Sequence, residues 1–234
     1  PPKPGTHAEG GEVTDTIRAV RAVPAAALTE LRAKATGEHV PRLFVLSAPS
    51  GTGKDTVLRG LRQRDPSLHV LVTCTTRPRR PEEVDGVDYQ FVSPQTFETM
   101  LEQDELLEHA EYSGYQYGAP KQPVREALAR GQDVILKIEV QGAAKVKRQI
   151  PETVMIFLAP PSMDELERRI SARGVLDPVD LRRRLEAAQR ELTAIPQYDY
   201  LVVNHAHRVD EAVDQLEHII LAERCRVNVS PVRL

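Results

Sequence analysis

The stretch RLFVLSAPSGTGKDT, residues 42–56, is the most informative part of the chain about its fold. In it an apolar run leads directly into a turn that contains two glycines and a lysine, and a helix-forming segment follows. Glycines let backbone N–H groups turn inward onto a polyphosphate, while the helix N-terminus and Lys54 supply positive potential. The strand–loop–helix pattern therefore predicts a phosphate loop for a nucleotide. A glycine-rich turn with an incidental lysine is the weaker interpretation.

This phosphate loop, residues 48–56, differs at two positions from the consensus G-x-x-x-x-G-K-[S/T]. Ala48 occupies the first glycine position, and Asp55 replaces the hydroxyl residue that normally ligates Mg²⁺. We therefore expect a nucleotide site in which Asp55 is the candidate magnesium ligand. The residues expected on the nucleotide are Ala48, Pro49, Ser50, Gly51, Thr52, Gly53, Lys54, Asp55 and Thr56.

Outside the loop, short apolar runs alternate with longer amphipathic segments. Near-continuous apolar runs suit strands that are covered on both faces, as in a parallel sheet with helical crossovers. The pattern predicts a doubly wound α/β domain with a parallel sheet flanked by helices. The expected strands are 43–47, 70–73, 134–138, 154–158 and 200–203.

Helix signals lie between these runs. Ser162 and Glu165 form a capping-box pattern for a helix that runs to about Arg173. Asp177-Pro178 supplies an N-cap and a first-turn proline for a second helix. Residues 209–223 repeat apolar positions with the period of a third helix.

Composition excludes several function classes. With 234 residues, 41% hydrophobic and 28% charged, the chain can form one enzyme-sized globular unit. A net charge of -3 creates no general attraction for nucleic acid, so no nucleic-acid partner is expected. The longest apolar run, residues 154–159, is far too short to span a bilayer, so no membrane partner is expected either.

The cysteines and the amino-terminal residues indicate the cellular compartment of the protein. Cys74 and Cys225 lack metal-ligand spacing and indicate a reducing compartment. Residues 1–40 are expected to form a flexible extension with an accessory helix over 25–35, and no secretory signal is expected in them. We expect a cytoplasmic protein.

Residues 77–80, here called the arginine corner, contain Arg77, Arg79 and Arg80 beside prolines. A planar guanidinium fork suits a phosphate dianion, so the corner predicts a second phosphate site. A solvated charge run neutralised by Glu82 and Glu83 is the alternative interpretation.

Residues 74–120 break the alternation of strands and helices and are predicted to form an insertion with its own binding surface. Hairpins are expected around Asp85-Gly86 and Ser113-Gly114. Ser93-Pro94 is expected to open a short helix that ends near Glu102.

Together, the phosphate loop and the arginine corner resemble the guanylate kinase family, and the resemblance runs in order from Arg42 to Arg226. It implies direct in-line transfer of the terminal phosphoryl group of ATP to GMP, with Mg²⁺. The family signature [S/T]-x-T-T-R-x-x-R-x-x-E-x-x-G-x-x-Y-x-F is matched by Thr73, Thr75, Thr76, Arg77, Arg80, Glu83, Gly86, Tyr89 and Phe91.

The resemblance also implies a division of residues 41–234. The core would comprise 41–73, 121–172 and 194–226, residues 74–120 would bind GMP, and a helical lid would span about 173–193. Lid arginines that arrive on closure would stabilise charge on the transferring group.

Guanine recognition is implied for LLEHAEYSGYQYGAP, residues 106–120, which is similar to the family's base-reading segment. Guanine presents two adjacent N–H donors that one carboxylate can accept, whereas adenine presents an acceptor there and is repelled. Glu108 would read the base and Thr73 would donate to the guanine oxygen; a surface acid is the alternative for Glu108. The implied GMP-binding residues are Thr73, Arg77, Arg80, Glu83, Tyr89, Glu108, Tyr117 and Glu139.

Two positions depart from the family pattern in this part of the site. Ala119 stands where Ser or Thr is frequent, so one polar contact to the base is expected to be missing. Glu139 stands where aspartate is usual, and Lys137 is its expected partner.

The resemblance implies that Lys54, Arg80, Arg173 and Arg184 are catalytic, and that Asn204 contacts the adenine side of ATP. The remaining arginines between 168 and 184 are expected to be solvated helix charges.

Two other functions stay open. A ribose bisphosphate phosphokinase-like enzyme would share the ending Gly53-Lys54-Asp55, but it has no use for a guanine reader. A non-catalytic guanylate-kinase-like module would bind phosphopeptides through the arginine corner, but such modules generally have a degraded phosphate loop. The choice between a monomer and a homo-oligomer also stays open.

Overall fold

A parallel sheet and a smaller mixed sheet organise this computed structural model, which describes residues 39–112, 114–172 and 177–234. The elements in chain order are β1 (Leu43–Ser47), α1 (Lys54–Arg64), β2 (His69–Val70), β3 (Cys74–Thr75), β4 (Gln90–Phe91), α2 (Pro94–Glu102), β5 (Leu106–Tyr112), β6 (Tyr115–Pro120), α3 (Lys121–Ala129), β7 (Val134–Lys137), α4 (Val140–Gln149), β8 (Val154–Ala159), α5 (Met163–Ser171), α6 (Pro178–Leu192), a 3₁₀ turn (Ile195–Gln197), β9 (Tyr200–Val203) and α7 (Val209–Arg224).

The larger sheet has the order β2-β7-β1-β8-β9, and all its pairs are parallel. Phe44 and Leu46 of β1 pack into one apolar cluster, while Leu43 and Val45 pack into another on the opposite face. The predicted α/β fold with a sheet covered on both faces is therefore confirmed. Because β1 is the central strand, the phosphate loop lies at the carboxyl edge of the sheet, where parallel sheets bind ligands.

The predicted strand 70–73 is wrong as one element. Only His69 and Val70 pair with β7, although the N–H of Leu71 still donates to the carbonyl of Ile135 at 3.0 Å. Cys74 and Thr75 belong to the second sheet. The apolar run is shared between two sheets, so its hydrophobicity does not mark the point where the chain changes partners.

The second sheet has the order β4-β3-β6-β5. Strands β5 and β6 form an antiparallel hairpin, as predicted around residues 113–114. The hairpin predicted around Asp85-Gly86 is wrong, because β3 and β4 run parallel. Helix α2 begins after Ser93, whose hydroxyl accepts from the N–H of Thr96, so the short helix is confirmed.

The two predicted helix caps are also present. The Ser162 hydroxyl accepts from the N–H of Glu165, and the Asp177 carboxylate accepts from the N–H of Val179. Helix α5 ends at Ser171, two residues before the predicted end. The accessory helix predicted over 25–35 lies outside the described residues.

Across the described ranges, no helix combines the length and the apolar character that crossing a bilayer requires.

Candidate nucleotide-binding site

The phosphate loop curls around two glycines in the left-handed region, Gly51 with φ +92° and Gly53 with φ +102°. The N–H of Thr52 donates to the carbonyl of Pro49 at 3.2 Å, which closes the turn, and Gly53 caps α1. The first N–H groups of a helix have no partner within the helix and carry partial positive charge, so this end of α1 can bind an anion.

Two side chains support the loop from behind. The Thr52 carbonyl accepts from Asn204 Nδ2 at 2.7 Å and from an Arg169 terminal nitrogen at 3.0 Å. The other terminal nitrogen of Arg169 donates to the Asn204 carbonyl at 2.9 Å. A Cβ on Gly53 would lie 2.7 Å from Asn204 Nδ2, so a larger residue at this position would clash with Asn204.

Arg169 corrects one expectation, since it is neither solvated nor free. Its pairing with Glu165 at (i, i+4) suggested a surface charge, and only its tertiary contacts place it under the loop. Asn204 is buried against the same loop, and its predicted contact with adenine stays a prediction.

Two lysines lie at the mouth of the loop, each beside a carboxylate. Lys54 donates to the carbonyl of Ala48 at 2.6 Å and lies 3.8 Å from a Glu139 carboxylate oxygen. Lys137 lies 2.7 Å from Asp55, so the expected pair between Lys137 and Glu139 is wrong. The side chain of Lys137 crosses from β7 to the first turn of α1 instead.

The carboxylates of Asp55 and Glu139 fit a magnesium ion that is shared with phosphate. Oxygen donors are what Mg²⁺ prefers, and it is usually bound through one or two carboxylates together with substrate phosphates. No group of three or more His, Cys, Asp or Glu side chains among the described residues is arranged to hold a metal alone.

In the arginine corner, Arg77 binds Glu83 through two hydrogen bonds of 2.7 and 3.0 Å. The main-chain N–H of Arg80 donates to the same carboxylate at 2.9 Å. The hydrogen bonds from Arg77 lower the pKa of Glu83, and the pKa of Arg77 is raised in return. Only Arg79 and Arg80 are exposed, so the solvated interpretation fails for Arg77.

Two tyrosines line the space beside the corner. The Arg77 guanidinium lies 5.6 Å from the centre of the Tyr89 ring, and the Tyr89 and Tyr117 rings meet edge-on at 6.0 Å. Tyr117 is opposite Thr75 in the strand register. The corner is therefore a rigid cationic and aromatic surface that fits a phosphate monoester.

Glu108 is 6% exposed, which excludes the surface-acid alternative. Within the described residues its Oε2 atom has no hydrogen-bond partner. Burial raises the pKa of Glu108 to about 7; Lys145 opposes the rise and Glu139 adds to it. Ala119 lies opposite Glu108 in the β5–β6 register and adds no polar group. An unsatisfied buried carboxylate is costly, so this one is poised to accept from a ligand.

Gly142 packs against the Glu108 side chain and is not among the residues predicted for the site. A Cβ on Gly142 would overlap the Glu108 carboxylate and lie 2.8 Å from its Cδ atom. Gly142 is in the first turn of α4, so the sequence signal was a glycine at a position where a helix normally takes a side chain.

Gly142→Ala is therefore expected to push the Glu108 carboxylate aside and to weaken recognition of the acceptor base by about tenfold. Steady-state kinetics with the acceptor varied would measure this as a rise in KM. Gly60→Ala serves as a control, because its Cβ would meet only the Val213 side chain on α7. An unchanged KM for the acceptor in Gly142→Ala would contradict the proposed contact.

Helix α6 presents two further ionisable groups. Arg184 Nε is buried and lacks a hydrogen-bond partner in the described part of the chain. Glu191, seven residues later on the same helical face, was missed in the sequence analysis. Burial, and then the Glu139 charge, raise the pKa of Glu191 to about 7, and the Lys54 charge opposes the rise. Glu191 is therefore close enough to Glu139 and Lys54 to be affected by their charges.

The structure brings the phosphate loop and residues 74–120 together around Lys137, which lies 2.7 Å from Asp55 and 5.0 Å from the centre of the Tyr89 ring. Among the predicted residues, Thr73, Glu108 and Asn204 are buried, and those that are exposed include Ser50, Asp55, Thr56, Arg80 and Glu139. Arg173 lies outside the described residues.

Comparison with known proteins gives one consistent result. A sequence model described as guanylate kinase matches residues 40–223. The guanylate kinase of Desulfitobacterium hafniense is 49% identical over 81% of this chain and 94% of its own length. A guanylate kinase of Thermus thermophilus is 50% identical over 79% of this chain and 83% of its own length. The crystal structure of guanylate kinase from Anaplasma phagocytophilum superposes with a TM-score of 0.64 at 33% identity, covering 80% of this chain and 90% of that one.

Proposed function

The chain belongs to the guanylate kinase family, and on this basis we propose that it transfers the terminal phosphoryl group of ATP to GMP, giving ADP and GDP. The observation that carries the acceptor assignment is the buried Glu108 carboxylate, whose Oε2 atom has no hydrogen-bond partner among the described residues. Among purine monophosphates, guanine offers two adjacent N–H donors that satisfy such a group.

The donor half of the proposed site is the phosphate loop. Its backbone N–H groups and Lys54 would hold the phosphates of ATP, and Asn204 would hold the loop in shape and lie toward the adenine. When bound, Mg²⁺ would neutralise phosphate charge, and Asp55 with Glu139 would hold it.

The acceptor half is proposed to be residues 74–120. Arg77, Arg80 and Tyr89 would orient the GMP phosphate, Glu83 would hold Arg77, and Tyr117 would complete the aromatic wall. The acceptor phosphate oxygen is itself the nucleophile, so no covalent intermediate with the protein is required. The protein would then accelerate phosphoryl transfer by positioning the two substrates and by neutralising phosphate charge.

The lid is proposed to be residues 173–193, including α6. Arg173 and Arg184 would contact the transferring phosphoryl group on closure. The buried Arg184 Nε supports this role, because it has no hydrogen-bond partner among the described residues and can donate to a phosphate oxygen. A cytoplasmic location is also part of this proposal.

The test is ADP production from ATP and magnesium with GMP, dGMP, AMP, UMP or ribose 1,5-bisphosphate as acceptor. Turnover confined to guanine nucleotides is the expected result. Turnover confined to the sugar bisphosphate would favour the sugar-phosphate kinase, and no turnover together with no ATP binding would favour a phosphopeptide-binding module. Either result would overturn the proposal.

The proposal predicts a pH dependence that arises from Glu108. With a pKa of about 7, its carboxylate is mostly protonated at pH 6 and mostly ionised at pH 8. Only the ionised form accepts both guanine donors, so kcat/KM for GMP should rise about tenfold between about pH 6 and pH 8.

The profile of Glu108→Gln is the reference for this measurement. GMP phosphate and Glu191 also titrate near this range, and the variant retains both of those contributions. The ratio of wild-type to variant kcat/KM should therefore show the rise of about tenfold. A ratio that is flat across this range would contradict the role of an ionised Glu108.

A further inference from the structure

Lys137 ends β7 directly beside the phosphate loop. It is in register with Leu46 of the neighbouring strand β1, two residues before the loop begins. Its ammonium group lies 2.7 Å from Asp55, in the first turn of α1, and 5.0 Å from the centre of the Tyr89 ring. One ammonium group thus lies beside both the donor half and the acceptor half of the proposed site.

On the acceptor side, Lys137 shares the Tyr89 ring with a residue of the arginine corner. The Tyr89 ring also lies beside the Arg77 guanidinium at 5.6 Å, so the same ring has both cations as neighbours. Arg77 belongs to the arginine corner, where the acceptor phosphate is proposed to bind. A phosphate there would bring its oxygens into the neighbourhood of Lys137.

The charged side chain of Lys137 is mostly buried. Its side chain is 19% exposed, whereas that of Asp55 is 68% exposed. Burial opposes the charge, but Asp55 and Tyr89 raise the pKa of Lys137 above its ordinary value. An ammonium group has three N–H donors, of which this contact with Asp55 uses one.

The lysine–carboxylate contacts form two pairs, Lys54 with Glu139 and Lys137 with Asp55. Both carboxylates are more than half exposed, so they can exchange a lysine for another cation at little cost. Phosphate oxygens form strong charge-assisted hydrogen bonds with an ammonium group, and they can replace the carboxylates on the lysines.

We infer that Lys137 is a further catalytic residue, which leaves Asp55 and contacts the phosphoryl group as it passes from donor to acceptor. This inference rests on the proposed function. In the step, a bond forms between a GMP phosphate oxygen and the γ-phosphorus, and the bond from that phosphorus to the β–γ bridging oxygen of ATP breaks. Lys137 keeps its proton and neutralises charge on the transferring oxygens.

The competing explanation is that Lys137 only fastens α1 to β7 through Asp55. The chain offers a matched ion pair outside the proposed site: Lys121 lies 2.7 Å from Asp104, and the two side chains are 14% and 88% exposed. Lys121→Met therefore measures the cost of losing such a pair without touching the site.

The experiment compares Lys137→Met, Lys137→Arg and Lys121→Met with the wild type in steady-state transfer from ATP to GMP. We expect Lys137→Met to lower kcat about a hundredfold while both KM values change less than tenfold. Lys137→Arg should restore at least a tenth of the wild-type kcat, and Lys121→Met should leave kcat unchanged. The melting temperatures of both methionine variants should be similar, which excludes misfolding as the cause.

A second comparison separates direct action from action through Asp55. Lys137→Met is introduced into an Asp55→Asn background, and a direct role predicts a further loss of kcat of tenfold or more. No further loss there, or a normal kcat in Lys137→Met, would overturn the inference and leave the proposed function standing. A wild type that transfers nothing to GMP would overturn the proposed function itself, and this inference with it.

Discussion

Lys54→Met is expected to lower kcat for phosphoryl transfer by about a thousandfold, at the upper end of the loss seen when one charge-stabilising donor is removed. Lys54 is the cation closest in sequence to the loop glycines, and its side chain is 13% exposed. Its ammonium group is held by the Ala48 carbonyl at 2.6 Å, which points it across the loop mouth. Methionine keeps the length and the apolar stem and removes only the charge.

Single-turnover kinetics with saturating ATP would measure this loss without interference from product release. Arg62→Met is the matched control, because Arg62 is an exposed cation two turns further along the same helix. The control should retain wild-type turnover. A Lys54→Met variant that turns over within tenfold of the wild type would show that the loop does not hold the transferring phosphates.

Glu108→Gln is expected to cost about 2 to 4 kcal/mol in kcat/KM for GMP, a loss of roughly thirty- to a thousandfold. The amide would place an N–H group against the donors of guanine. The kcat/KM for ATP at a fixed GMP concentration that saturates the variant should change much less.

The same variant should not lose stability. The Glu108 pKa rises from 4.5 in the unfolded chain to about 7, so the folded protein retains a proton that the unfolded chain releases between these pH values. The free energy of unfolding therefore falls as pH rises from 4.5 to 7, and above pH 7 the burial penalty of about 3 kcal/mol is complete. Glutamine removes this penalty and adds the smaller cost of a buried amide.

Thermal unfolding at about pH 8 would test this separation of activity from stability. Glu108→Gln should melt at or above the wild-type temperature while its GMP turnover collapses. Glu111→Gln, an exposed change on the same strand, should alter neither quantity. A Glu108→Gln variant with normal kcat/KM for GMP would remove the argument for base recognition.

Much of the fold could be predicted because its signals are local. The predicted bounds of β1 and β9 match the structure, and the caps at Ser162 and Asp177 form as expected. An apolar run, a capping side chain and a glycine turn act on their own neighbours, so the residues that specify them are adjacent in the chain.

The candidate site could be predicted only as a set of residues. Motif spacing and family resemblance named Lys54, Arg77 and Glu108, but they could not say which of these side chains would be buried. Burial is what makes Glu108 an unsatisfied acceptor, and it depends on Gly142, which packs against it from another element. Arg169 is the opposite case: its sequence pattern is typical of a charge on a helix surface, but its side chain donates to the phosphate loop.

Short-range patterns in the chain were enough to specify the parallel sheet, the phosphate loop at its central strand and the family to which they belong. The partners of the long charged side chains, in contrast, are set by the three-dimensional arrangement. Lys137 lies two residues from Glu139 but pairs with Asp55, 82 residues away, because β7 runs beside β1 and ends next to the first turn of α1. A flexible charged side chain binds whichever opposite charge the fold brings within reach, and sequence distance does not measure that reach.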